Sequence, residues 1–207
     1  MKRFLVLVIV AILAISFLEA VAKKKTKKKG VRPKMKKIVM IIAKDGFRDE
    51  EYLQPKEIFT NAKIEIVTAA SSTGTAKGML GATQKVDITI DQIDIKSGGY
   101  DAVIFVGGVG SSEYWDNSVA HKIAQETVKQ NKILAAICIA PVTLARGSLL
   151  KGKKATVFSS EAEELKSSGA LYTGKNVEVD GNIITASGPQ AAKEFGKKIL
   201  ELLTIKK

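Results

Sequence analysis

The 207-residue chain is long enough for one domain with a buried core, and its 45% hydrophobic and 26% charged residues argue against a disordered or multi-span membrane protein. The formal net charge of +12 comes from the N-terminal part, because from Ile38 onward 21 basic residues stand against 20 acidic ones. A nearly neutral body argues against nucleic-acid binding by the domain, which would need a basic face.

The N-terminus has the pattern of a signal peptide. Lys2 and Arg3 precede a 15-residue, mainly apolar stretch (4–18), and Ala20 and Ala22 form an A-x-A cleavage pattern. This stretch is shorter than the ~20 residues that span a bilayer. We therefore expect residues 1–22 to be a cleaved signal peptide and the protein to be secreted or extracytoplasmic. Dense lysines just beyond Ala22 resist translocation, so an uncleaved membrane anchor is the alternative.

Residues 23–36 are rich in lysine and contain Gly30 and Pro33. This composition predicts a solvated linker, which could also contact anionic lipid. We expect residues 37–207 to form a single domain.

Strand and helix patterns alternate from Lys37 onward. Continuous apolar runs predict buried strands at 37–43, 102–106 and Ile133–Ile137, and alternation predicts another strand at 63–68. Helical periodicity is present in Asp49–Asn61 and in residues 117–131. The glycine-rich stretch 74–99 indicates a hairpin at one edge.

After Cys138 the pattern continues with a short helix at 140–146, a strand at 155–158, a short helix at 161–166, a hairpin around Asp180 and Gly181, and a closing helix at 190–203. Alternating strands and helices predict an α/β fold with a doubly wound, mostly parallel sheet and helices on both faces. Ligands of such sheets bind at the carboxyl ends of the strands.

Cys138 stands where an apolar strand ends and a helix is predicted to begin. A nucleophile on such a tight turn is exposed above the sheet, beside backbone amides and a helix N-terminus that lower the pKa of a thiol. The alternative is a small buried apolar cysteine, which is common for a free thiol. Its position at the end of a strand favours a reactive cysteine.

Four segments carry a resemblance to a known superfamily. They are the elbow Ala136-Ile-Cys-Ile-Ala-Pro141, the stretch from Gly46 to Pro55, the strand and glycine pair from Val103 to Gly108, and the stretch from Val179 to Pro189. The chain resembles the PfpI-type, class I glutamine amidotransferase-like superfamily over residues 37–203. The resemblance implies a flavodoxin-like fold, a small-molecule or peptide substrate, and a homo-oligomer.

The resemblance also implies roles for individual residues. Cys138 matches the family nucleophile, and Glu51, four residues before a proline, matches the glutamate that faces it. A glutamate buried against sulfur would share a proton with it. The alternative is a first-turn glutamate that only interacts favourably with the helix dipole. The glycine pair Gly107 and Gly108, together with Ile139, would offer backbone amides to an oxyanion, although glycine pairs also serve simply as turns.

The histidines of the family are absent at two positions. PfpI-type peptidases carry one directly after the cysteine, where this chain has Ile139, and the deglycase relatives take one from the region that reads 156–160 here. Ser159 and Ser160 lie in that region and are weak candidates for substrate binding. His121 falls in the predicted helix 117–131, and we expect it on the solvated side as a surface or satisfied histidine, away from the site. Peptidase activity would therefore lack an obvious general acid.

One cysteine and one histidine cannot build a structural zinc site, and the glycines at 107–110 lack the spacing of a nucleotide-binding loop. We expect a site without metal or cofactor. The leading hypothesis is a cysteine-dependent hydrolase or deglycase acting on small amide, carbonyl or glycated substrates. The alternatives are a redox-responsive or chaperone-like stress protein whose cysteine is oxidised reversibly, and a non-catalytic protein that keeps only the fold.

Overall fold

The computed structural model describes residues 35–205, and a seven-stranded sheet lies at their centre. The strands are β1 (Lys37–Ile41), β2 (Asp45–Phe47), β3 (Glu65–Ala70), β4 (Gly74–Gly78), β5 (Thr83–Val86), β6 (Ile88–Thr89), β7 (Ala102–Phe105), β8 (Ile133–Ile137), β9 (Lys154–Ala155), β10 (Leu171–Tyr172), β11 (Val177–Asp180) and β12 (Ile183–Ala186). The central order is β11-β12-β8-β7-β1-β3-β6, with β11–β12 the one antiparallel pair. The predicted α/β class with a mostly parallel sheet is confirmed.

Helices cover both faces of this sheet. They are α1 (Asp49–Asn61), α2 (Ser118–Lys129), α3 (Pro141–Arg146), α4 (Ala162–Ser167) and α5 (Ala192–Ile205). On one face α1 packs against α5, so closely that a Cβ on Gly196 would lie 2.9 Å from the Cα of Pro55. The shorter helices α2, α3 and α4 contribute to the opposite layer.

Side chains of the central strands alternate between the two layers. In β8, Leu134 and Ala136 belong to the core under α2 and α3, whereas Ile133, Ala135 and Ile137 belong to the core under α1 and α5. All of them are fully buried, because a parallel strand in the middle of a covered sheet meets apolar side chains on both sides. This burial fixes the register of β8 and with it the position of the residue that follows, Cys138.

A small second sheet flanks the carboxyl ends of the central strands. Its strands β2 and β4 are parallel, and β4 pairs with β5 in the hairpin that the glycine-rich stretch predicted. The buried carboxylate of Asp49 accepts hydrogen bonds from the amides of Leu80 (2.9 Å) and Ala82 (2.7 Å). The first turn of α1 is thereby joined to the tip of the hairpin.

Most predicted elements are present with small shifts. Helix α1 and strand β8 have the predicted bounds, whereas the strand predicted at 63–68 runs over Glu65–Ala70, because Lys63 has a φ of 57° in the turn that leaves α1. The strand predicted at 155–158 was wrong beyond Ala155: β9 ends there, and the amide of Phe158 donates to the carbonyl of Cys138 at 2.9 Å.

The predicted signal peptide or anchor at 1–22 and most of the linker at 23–36 lie outside the described residues. Cleavage and localisation therefore stay predictions. Within residues 35–205, no helix has the length and apolar character needed to cross a membrane.

Candidate functional site

Cys138 is held in an unusual backbone conformation directly after β8. Its φ is 64°, a left-handed value that costs a non-glycine residue roughly 1–2 kcal/mol. Its amide donates to the carbonyl of Ala186 and its own carbonyl accepts from the amide of Phe158, both at 2.9 Å. Hydrogen bonds from two neighbouring segments thus keep the chain in this sharp turn, as expected for a nucleophile elbow.

Glu51 is completely buried in the first turn of α1. Within residues 35–205, neither of its carboxyl oxygens has a hydrogen bond of normal geometry, yet the thiol of Cys138 and the amide of Gly107 are close enough to affect its pKa. A buried carboxyl without good partners is costly and is unusual in a folded protein. Its placement against the one thiol of the chain is the main geometric sign of function.

Gly107 and Gly108 both occupy positions that exclude a side chain. A Cβ on Gly107 would lie 2.4 Å from the Cβ of Cys138 and 2.4 Å from Oε2 of Glu51, so the missing side chain of Gly107 lets the two functional side chains meet. Gly108 has a φ of 101°, and a Cβ there would lie 2.4 Å from the amide nitrogen of Arg48. The absence of both side chains lets the backbone approach the sulfur.

Two backbone amides face the sulfur of Cys138. They belong to Gly108 and Ile139, and both lower the pKa of the thiol. Donors in this position would also stabilise negative charge on a carbonyl oxygen that is attacked by the sulfur. The structure thus brings Glu51, Gly107, Gly108 and Ile139 together around Cys138.

Cys138 and Glu51 titrate as a pair. Burial raises the pKa of Glu51 to about 7, and burial together with the negative charge of Glu51 raises the pKa of Cys138 to about 12. Because the groups are in contact, these values describe the loss of a first and then a second proton from the pair. Between them the pair holds one proton.

The expectation that the elbow lowers the thiol pKa was wrong in its net direction. The amides act as expected, but the burial of Cys138, whose exposed fraction is 8%, and the facing carboxylate outweigh them. Helix α3 has only six residues and offers a weak dipole. A thiolate here depends on the proton that Glu51 can hold.

A cleft of about 300 Å³ opens beside Cys138. Its lining is Arg48, Met79, Gly108, Val109, Cys138, Ile139, Phe158, Ser160, Glu161 and Pro189. Ser160 lies in this wall and its hydroxyl donates to Glu161 at 2.9 Å, whereas Ser159 is exposed and is not part of the lining. Of the two weak serine candidates, only Ser160 therefore borders the cleft.

Sequence reasoning did not identify Arg48, Met79 or Val109 as part of the site. Arg48 stands three residues before Glu51, and its charge lowers the pKa of that carboxyl. The one available signal for Met79 was an apolar Met79-Leu80 pair in a glycine-rich turn, where polar residues are the rule.

His121 is half-buried on α2 and has a hydrogen-bond partner, as expected for a surface or satisfied histidine. Its Nε2 lies 2.7 Å from the carbonyl oxygen of Trp115, and the indole nitrogen of Trp115 donates to the carbonyl of Ile139 at 3.2 Å. These contacts make His121 a satisfied structural histidine. In the described part of the chain, no cluster of three or more His, Cys, Asp or Glu side chains could hold a metal ion.

Comparison with known proteins agrees with this geometry. An uncharacterised protein of Methanocaldococcus jannaschii is 42% identical over 170 residues, which cover 81% of this chain and 82% of that protein. A deglycase of Thermococcus kodakarensis is 28% identical over 80% of this chain and 98% of its own length. The crystal structure of a ThiJ/PfpI domain protein from Brachyspira murdochii superposes with a TM-score of 0.80 at 30% identity, covering 84% of this chain and 99% of that one. The sequence model of the DJ-1/PfpI family matches residues 36–202, and the chain belongs to this family.

Proposed function

We propose that the protein is a cysteine-dependent hydrolase or deglycase that acts on small amide, carbonyl or glycated substrates. The observation that carries the proposal is the fully buried carboxyl of Glu51, which has no hydrogen bond of normal geometry within residues 35–205 and faces the thiol of Cys138. The name of the Thermococcus kodakarensis relative supports the deglycase part.

The chemistry follows from the shared proton. The sulfur of Cys138 attacks the substrate carbonyl, a carbon–sulfur bond forms, and the carbonyl electrons move to the oxygen, where the amides of Gly108 and Ile139 stabilise the charge. The carbonyl then re-forms as its bond to the leaving amine or alcohol breaks, and Glu51 supplies the proton that this leaving group needs. Water then hydrolyses the thioester, which releases the acid and restores the proton to the pair.

The test compares Cys138→Ser with His121→Ala. Serine keeps nearly the same volume without a thiolate, so it should abolish turnover of small esters, amides and 2-oxoaldehyde adducts while the protein stays folded. His121→Ala should retain turnover, because its ring bonds the carbonyl of Trp115 and not the sulfur. Turnover that survives Cys138→Ser, or its absence from the wild type on every substrate, would contradict the proposal.

A redox-responsive protein is the second candidate, and a specific feature favours it. A protonated Glu51 could donate a hydrogen bond to an oxygen atom on an oxidised Cys138 sulfur, with the amides of Gly108 and Ile139 as further donors. Peroxide should then convert Cys138 to sulfenate or sulfinate before any methionine is oxidised, and Glu51→Ala should speed overoxidation. Intact-mass measurement after timed peroxide treatment tests this role independently of turnover.

A further inference from the structure

We propose that the cleft beside Cys138 binds an uncharged, apolar substituent of the substrate, so that the site prefers alkyl or aryl acyl and carbonyl compounds to charged or sugar-like ones. This inference rests on the proposed function and names its substrate class. It is carried by the lining of the cleft and by two side chains, Met79 and Phe158, which we assign as specificity-determining residues.

The walls of the cleft are mainly apolar although they reach the surface. Met79, Phe158 and Val109 expose 41%, 38% and 65% of their surface, and Ile139 and Pro189 complete the wall. Apolar side chains grouped at the surface around a buried reactive atom are typical of ligand sites. A volume of about 300 Å³ lies at the lower end of the range of small-molecule sites.

The backbone of both specificity residues is held in place near the sulfur. The amide of Met79 donates to the carbonyl of Phe47 at 2.9 Å, and Asp49 holds the rest of the turn. The amide of Phe158 is bonded to Cys138 itself, and its ring packs against Gly188, where a Cβ would lie 3.1 Å from the ring. The backbone that carries the apolar wall is therefore in place before a substrate arrives, which lowers the entropic cost of binding.

Both charged side chains of the lining have hydrogen-bond partners within the protein. Nε and Nη2 of Arg48 donate to the two carboxyl oxygens of Glu50 at 2.8 and 3.0 Å. Glu161 accepts the hydroxyl of Ser160. A substrate with a carboxylate or phosphate would have to compete with Glu50 for Arg48, whereas an alkyl or aryl group only displaces water from the wall.

Maleimides that differ only in their nitrogen substituent test the proposal, because they add to the sulfur without turnover. Rates for N-methyl, N-hexyl and N-carboxyethyl maleimide on the full chain are divided by the rates for glutathione. We expect the hexyl compound to react about tenfold faster than the methyl compound, and the carboxyethyl compound to react slowest. Met79→Ser and Phe158→Ser should each remove most of the hexyl preference.

Leu80→Ser is the matched control, since Leu80 is next to Met79, is 62% exposed and does not line the cleft. It should keep the wild-type preference. Equal normalised rates for hexyl and methyl, or an equal loss in Leu80→Ser and Met79→Ser, would overturn the inference. A hexyl preference without turnover of any of the esters, amides and 2-oxoaldehyde adducts would leave the binding preference intact and refute the proposed function, while a sulfur inert to all maleimides would refute both.

Discussion

At the scale of single residues, the pairing of Cys138 with Glu51 determines the chemistry. The pair loses one proton near pH 7 and keeps the other far into the alkaline range. Thiolate forms in this singly protonated state only when the proton resides on Glu51. The amount of thiolate should therefore rise up to about pH 7 and then stay constant.

The first prediction concerns the pH dependence of alkylation by iodoacetamide. The wild-type rate should rise to a plateau above pH 7, whereas the rate of Glu51→Gln should keep rising and exceed that of the wild type above about pH 8, because the variant lacks the carboxylate charge that raises the thiol pKa. Glu50→Gln should keep the wild-type profile. A wild-type rate that rises steadily through pH 9, or a slower Glu51→Gln at pH 9, would disprove the shared proton.

The second prediction concerns stability. Because burial raises the pKa of Glu51 from 4.5 to about 7, the folded state holds this proton more tightly than the unfolded state. Its stabilising contribution is complete below pH 4.5 and is lost as the pH rises through 7, an effect of about 3 kcal/mol. We expect urea denaturation to show this as a change in the free energy of unfolding of Glu51→Gln relative to wild type. From pH 4.5 to pH 8 that difference should shift by about 3 kcal/mol in favour of the variant. A difference that stays constant over this range would contradict the raised pKa.

At the scale of elements, the turn between β4 and β5 depends on one side chain of α1. Asp49 is nearly buried, and its two oxygens accept the amides of Leu80 and Ala82. The hairpin thus holds Met79 at the cleft through a contact between segments 31 and 33 residues apart in sequence.

The third prediction is that Asp49→Ala lowers the free energy of unfolding by about 2–3 kcal/mol, because two charge-assisted hydrogen bonds are lost. Amide hydrogen exchange should accelerate at residues 79–82 before it does so in the central sheet. The neighbouring Glu50→Gln, which breaks only a half-exposed ion pair with Arg48, should cost less than about 1 kcal/mol. Equal effects of the two substitutions would show that Asp49 does not hold the turn.

The sequence predicts those features that depend on local pattern. The apolar run of β8 and the helical periodicity of α1 specify buried elements on their own, and the site that joins Cys138 to Glu51 follows from the family resemblance. The wall formed by Met79 and Phe158 could not be predicted, because it requires the hairpin and the residues after β9 to fold back over the elbow. The raised pKa of Cys138 could not be predicted from the sequence either, because it depends on burial in the folded protein.

At the scale of the whole molecule, the central sheet joins the two core layers. Each central strand contributes side chains to both, so neither layer can lose its packing without exposing the other face of the same strands. The first described residues take part as well, because the carbonyl of Lys36 accepts the amide of Glu65 at 2.9 Å and its ammonium group pairs with Asp101 at 3.2 Å. Lys36 is therefore part of the packed domain.

The fourth prediction is that a chain starting at Met35 folds alone and unfolds in one cooperative transition. Its charges are nearly balanced and it retains both contacts of Lys36. The single tryptophan, Trp115, reports on the layer beside the elbow, whereas far-ultraviolet circular dichroism reports on the whole sheet. The two signals should give the same urea midpoint, and that midpoint should match the full chain's. Separate midpoints would mean that the layers unfold independently, and aggregation of the shortened chain where the full chain stays folded would place the domain boundary before Met35.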